Sequence, residues 1–256
     1  MKVIVNLHWQ IQKESMTNQQ HIEKHTIVQS IILHLFPGIL IGVFYFLIRQ
    51  PVQKFGYPSA FALILAIIFV LVPVELGYLL LKGKQATGRF TLDGLISYRT
   101  PIPWWQYIIW ILIVLALMGG IFTVLKPIDN ILMEKLFSWM PTFDSGLDGS
   151  YSKTALIITY GIFAIFGVIV GPSVEELYFR GYLLPRIPVK QSALFHSFLF
   201  AAYHVWTPWM FITRIIGMLP LIIAVKKKNI YVGIIAHILL NSLDVIVGFV
   251  FIFSLA

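Results

Sequence analysis

The sequence predicts an all-α fold, a polytopic membrane helix bundle of seven or eight transmembrane helices, and three observations predict it. Hydrophobic residues fill 58% of the 256 positions and charged residues only 12%, whereas a soluble domain carries roughly 25% charged residues. Mean hydropathy is +0.84. The apolar residues also gather into runs of about 20, the length of helix that crosses a bilayer.

In chain order, residues 1–25 read as a polar N-terminal segment, with KESMTNQQHIEKH where a cleaved signal peptide would have an apolar core. Residues 26–256 read as a single transmembrane helical domain. Thr26–Ile48, Ser59–Leu81 and Trp105–Leu125 are uninterrupted apolar spans. Thr154–Val170 is the fourth; Gly171 and Pro172 interrupt it, and Ser173–Leu184 continues it with a kink. Ser192–Val205, Met210–Val225 and Ile230–Leu255 bring the count to seven, and a break of the last near Asn241–Asp244 makes eight. Between the third and fourth spans an interfacial helix is expected at Ile128–Met140. The catalytic core is expected in about residues 154–256.

The formal net charge is +8 and cysteine is absent. Without thiols there are no disulfides, thiolate nucleophiles or thiolate metal sites. In a membrane protein an excess of Lys and Arg reports topology and contact with anionic lipids, and no nucleic-acid-binding motif accompanies it. With the N-terminus inside, thirteen basic residues fall on the inner side, including Lys24, Lys82, Arg180, Arg186 and Lys226 to Lys228, against Arg49, Lys54, Lys126, Lys135 and Lys153 outside. That imbalance orients the N-terminus to the cytoplasm of, by expectation, a bacterial cell membrane.

Ionisable groups within a span cost about 2.5–3.5 kcal/mol each on insertion scales, so they persist where they pair or act. Here they cluster in the last third. In Glu175-Glu176-Leu-Tyr-Phe-Arg180, Glu176 and Arg180 stand four apart, the spacing of an intrahelical ion pair, while Glu175 points about 100° away. The fifth span carries Phe200 and His204 and the seventh carries His237 and Asn241, each pair on one helix face. Counted from the inner loops, Glu175, His204 and His237 lie roughly 15, 21 and 14 Å deep, compatible with one cavity.

These three ordered motifs, EExxxR, FxxxH and HxxxN, resemble those of the CPBP family of intramembrane proteases, the CAAX-protease and bacteriocin-processing (Abi) group. The resemblance spans roughly Val168–Asp244. It implies an intramembrane endopeptidase acting on a hydrophobic or membrane-embedded peptide, with water activated by Glu175 and His204 and the oxyanion stabilised by His237 and Asn241. Glu176 with Arg180 then braces the helix behind Glu175, and Phe200 shapes the cavity wall. Glu, His and Asn suit base, proton donor and neutral oxyanion donor. The same His204, His237 and Glu175 also suit zinc with an open position for water, so zinc and metal-free hydrolysis both stay open.

Competing readings come from local pattern. Ser173-x-x-Glu176 after Pro172 fits a capping box, which would make the two glutamates first-turn acids at a helix start. A separate alternative for the whole chain is a non-catalytic immunity or regulatory protein that binds a peptide or membrane partner. Glu75 and Arg214 invite an interhelix ion pair, with snorkelling the alternative for Arg214, and His34 and His196 read as packed residues bonding carbonyls across helices or as lying near an interface. Trp104, Trp105, Trp139, Trp206 and Trp209 fall at span ends and read as an aromatic belt.

Overall fold

The computed structural model describes residues 22–255, all of the regular structure being helical. Seven helices occupy the seven expected spans: α1 Ile27–Lys54, α2 Ser59–Thr87, α3 Trp104–Lys135, α4 Lys153–Arg186, α5 Ser192–Tyr203, α6 Pro208–Lys227 and α7 Ile230–Ser254. Six are long and apolar enough to cross a membrane; α5 is shorter. Its 12 residues reach about 18 Å, so it ends at mid-bundle. The irregular chain that follows, through Thr207, is tolerated at that depth because protein packs around it. α7 runs unbroken through Asn241–Asp244, so no eighth helix forms there.

Local chemistry sets the helix ends. Thr26 opens α1 with a capping box, its hydroxyl accepting from the Gln29 N–H while the Gln29 side chain accepts from the Thr26 N–H. Asn229 caps α7 through the Tyr231 N–H. The interfacial helix expected at Ile128–Met140 is not a separate element: α3 continues through Pro127 to Lys135. The extension is largely exposed and is tied to the bundle by its buried Asp129, which accepts a 2.6 Å hydrogen bond from the Thr213 hydroxyl of α6.

Wide, π-helical turns interrupt α2 at Ile67–Leu76 and α4 at Phe166–Val170 and Glu176–Leu183. Proline explains two of them. Pro73 has no N–H to give, and a wider turn relieves its clash with the preceding carbonyl. Before Pro172, the Gly171 N–H reaches back five residues to the Phe166 carbonyl. The expected interruption at Gly171–Pro172 is therefore a change of pitch within one helix. The capping-box reading is overturned by the same fact, because Ser173 to Glu176 lie in the interior of a 34-residue helix.

α4 lies at the centre, with α1, α2 and α7 against its second half; α5 sits between α1 and α6, and α3 covers α6 and α7. Gly38 and Gly42, one turn apart on α1, allow α1 to touch the chain at the end of α5. A Cβ on Gly38 would lie 2.1 Å from the Tyr203 carbonyl oxygen, and one on Gly42 2.3 Å from Val205 Cγ2. Small residues at this spacing let membrane helices approach backbone to backbone. Backbone bonds tie the ends: the His25 N–H donates to Arg186 and the Ile230 N–H to Tyr98, while at the opposite end the Ala60 N–H donates to Asp144. Large apolar side chains such as Leu47, Leu112 and Val250 cover the outside, as lipid contact requires.

The tryptophans divide. Trp104, Trp105 and Trp139 are exposed near the ends of α3, as a belt would be, but Trp206 and Trp209 are buried. Trp206 packs on Tyr203 and His204, because the short α5 brings this loop inward.

Candidate active site

Four side chains from two helices form the centre of the site. Glu176 is sealed from solvent, and its Oε1 lies 3.3 Å from Arg180 Nη1 and accepts from His237 Nδ1 at 2.9 Å. The expected Glu176–Arg180 pair is thus present, and it also orients a histidine from another helix. His237 Nε2 lies 3.8 Å from Glu175 Oε2, beyond hydrogen-bond length but close enough for charge to act. Glu175 and His237 each retain 8% of their exposure, while Glu176 and Arg180 retain none. One glutamate is locked away and its neighbour opens on the remaining space.

Among the described residues Arg180 has only two partners for a fully buried charge. Its guanidinium faces Glu176 on one side and sits 3.8 Å over the Phe200 ring on the other. Phe200 is itself buried beneath the guanidinium. Arg180 therefore belongs to the site, and among the thirteen inner basic residues it is not a surface charge. Gly233, one turn before His237, makes the approach possible: a Cβ there would stand 3.0 Å from Glu176 Oε2 and 2.5 Å from Val225 Cγ2.

His204 follows α5 as its C-terminal cap. Its Nδ1 donates to the Phe200 carbonyl at 2.9 Å, which fixes the proton on Nδ1 and leaves Nε2 with a lone pair. The ring packs on Phe200, Tyr203 and Trp206. Glu175 is brought together with His237, and no direct bond joins it to His204 among the described residues. Asn241 Nδ2 donates to the Gly167 carbonyl at 3.0 Å, tying α7 to the first wide turn of α4. His204, His237 and Glu175 do not converge as a metal-holding group among the described residues. The zinc donor set is not assembled in this conformation.

Two residues stand at the site that sequence reasoning did not assign to it. Glu75 of α2, fully buried, accepts from the Tyr203 hydroxyl at 2.9 Å. The Tyr203 hydroxyl also faces Glu175. The expected Glu75–Arg214 ion pair does not form; Arg214 Nη1 donates to the Thr207 carbonyl at 3.1 Å. Short-range signals for Glu75 existed, an acid two residues after a proline in an apolar span, but its partner could be known only once α5 was placed. His34 and His196 also pair differently from expectation. His34 Nδ1 donates to Ser30 of its own helix, and the bond across helices runs between His34 Nε2 and His196 Nδ1 at 2.9 Å. Asp244 lines a cavity of about 250 Å³ beyond Asn241, with Ile67, Thr159 and Tyr160.

Comparison with known proteins bears on the same segment. Residues 157–243 match the family model described as type II CAAX prenyl endopeptidase Rce1-like. The match covers about a third of the chain and includes all three motifs. No curated protein and no solved structure matches the chain.

Proposed function

We propose, from the premise that the segment bearing these motifs is Rce1-like and consistent with the CPBP intramembrane proteases, that this protein is an intramembrane endopeptidase. Its substrate class is a hydrophobic or membrane-anchored peptide, reached from the end of the bundle where α1 begins. By the basic-residue imbalance that end faces the cytoplasm. The observation that carries the reading is the buried Glu175–His237–Glu176–Arg180 cluster. It holds one shielded carboxylate and one open carboxylate against a single imidazole.

The assigned roles follow from the free atoms. Glu175 takes a proton from water as the water oxygen attacks the peptide carbonyl carbon. His204, with its Nε2 lone pair free, assists that transfer. His237, its Nδ1–H anchored on Glu176, donates to the developing oxyanion from Nε2–H as the imidazolium held between the two carboxylates. As the C–N bond breaks, the proton held at Glu175 passes to the leaving amine. Asn241, which the motif offers as a second oxyanion donor, acts by holding α4 through Gly167. Removing a general base costs about 100-fold or more.

The test uses purified chain in proteoliposomes with two internally quenched probes, a farnesylated peptide ending in a CAAX tetrapeptide and an unprenylated hydrophobic peptide. Cleavage of at least one is expected, together with loss of about 100-fold or more in Glu175→Gln and His204→Ala. If both variants process the probe at the wild-type rate, or the wild type cleaves neither, the endopeptidase reading fails. A non-catalytic peptide-binding partner would then take its place.

A further inference from the structure

Glu75 is the least explained charge in the bundle. It is fully buried in the middle of α2, makes no ion pair among the described residues, and its Oε2 has no hydrogen-bond partner. An apolar side chain would suit a span better. Its one bond is to Tyr203, whose hydroxyl also faces Glu175. Tyr203 cannot turn away, because it is itself buried and its backbone is pressed against Gly38 of α1.

A phenol has a single proton to donate. In the structure Glu75 receives it. Were Glu75 unable to accept, the same proton would be donated to Glu175, occupying the carboxylate that must take the proton of water. We propose that Glu75 is a positioning residue of the catalytic site. By accepting the Tyr203 hydroxyl it keeps that donor off Glu175 and leaves Glu175 facing His237. The wide turn around Pro73 is what delivers Glu75 to this spot, and such turns recur at functional sites. The inference rests on the endopeptidase reading and extends it to a helix outside the matched segment.

The experiment measures kcat and KM on the cleaved probe in the same proteoliposomes, with Glu175→Gln alongside. Glu75→Met removes the acceptor and should lower kcat on the order of 30-fold with KM within about twofold, the range of one hydrogen bond to a charged group. Glu75→Gln keeps a carbonyl acceptor for Tyr203 and should retain most of kcat. The decisive arm is Glu75→Met combined with Tyr203→Phe, which removes the displaced donor and should recover most of the loss. A packing defect at position 75 would not be relieved by deleting a hydroxyl. The proposal is overturned if Glu75→Met is unimpaired, if Glu75→Gln is as impaired as Glu75→Met, or if the double variant is no faster than the single one. A dead Glu175→Gln beside any of these results leaves the endopeptidase reading standing, whereas a fully active Glu175→Gln removes both.

Discussion

Replacing Glu176 by Gln tests whether the buried ion pair braces the site. Arg180 has no solvent contact, and among the described residues none of its three nitrogens finds a hydrogen-bond partner; it has only Glu176 Oε1 at 3.3 Å and the Phe200 ring at 3.8 Å. Removing the carboxylate charge leaves a buried cation supported by a ring, worth about 2 kcal/mol when desolvated. Breaking a buried pair from one side costs about 3–5 kcal/mol. For a chain of this size roughly 2–4 °C of Tm accompanies each kcal/mol, so a fall on the order of 10 °C is expected. Thiol-reactive dyes cannot report it in a chain without cysteine, but seven tryptophans allow intrinsic fluorescence to follow unfolding in detergent. Adding Arg180→Met should restore much of the loss, because it removes the stranded charge. A fall of less than about 3 °C in Glu176→Gln, or a double variant no more stable than the single, would refute the brace.

Three further outcomes follow from named contacts. Gly38→Ala places a methyl 2.1 Å from the Tyr203 carbonyl oxygen, against backbone that cannot rotate aside; it should shift α1 from α5 and lower both Tm and cleavage, and wild-type values for both would refute the close contact. Asn241→Ala deletes one hydrogen bond to Gly167, about 1 kcal/mol and hence roughly 2–4 °C of Tm; an unchanged Tm together with a lost kcat would instead favour direct oxyanion contact. His25 lies just outside α1, and burial, then the Arg186 and Lys82 charges, hold its pKa below the ordinary 6.5. The folded protein therefore disfavours the imidazolium, so its stabilising contribution is present above about pH 6.5 and is lost as pH falls toward the depressed value. Wild type should lose more Tm than His25→Asn between pH 7.5 and 5, and parallel losses would exclude His25 as the group responsible.

Much of this arrangement was legible from residue types and spacing. Apolar run length gave the seven helices, and the four-residue interval gave the Glu176–Arg180 pair, because both depend on geometry internal to one helix. The limits of legibility fall where contacts run between helices. Glu75 and Arg214 carry opposite charges and invite pairing on charge alone, yet Glu75 meets Tyr203 and Arg214 meets a carbonyl, since position within the bundle decides which polar group is reachable. Equal depth made a meeting of His237 with the glutamates conceivable, but its bond to Glu176 depends on the close approach of α7 to α4 that Gly233 permits. Trp206 looked interfacial because a span of ordinary length would have carried it to the surface; α5 is too short to do so.

The wide turns of α4 carry a consequence for how the chain tolerates length change. A π turn holds one more residue than an α turn, so each acts as a local phase offset between the helix before it and the helix after it. Deleting one residue at Phe166–Val170, for example Val168, would let the turn close to ordinary pitch, and because the lost residue is the extra one, everything beyond would stay nearly in phase. The same deletion in the regular stretch before it, for example at Ile158, would rotate everything beyond by about 100°. Hydrophobicity and length would hardly change in either case, and the span would still insert. Glu175 and Glu176 would swing out of register with His237 in the second case and keep it in the first. A single-residue gap that is silent for membrane insertion would thus be decisive for chemistry in the regular stretch, and pairwise alignment should place such a gap within Phe166–Val170.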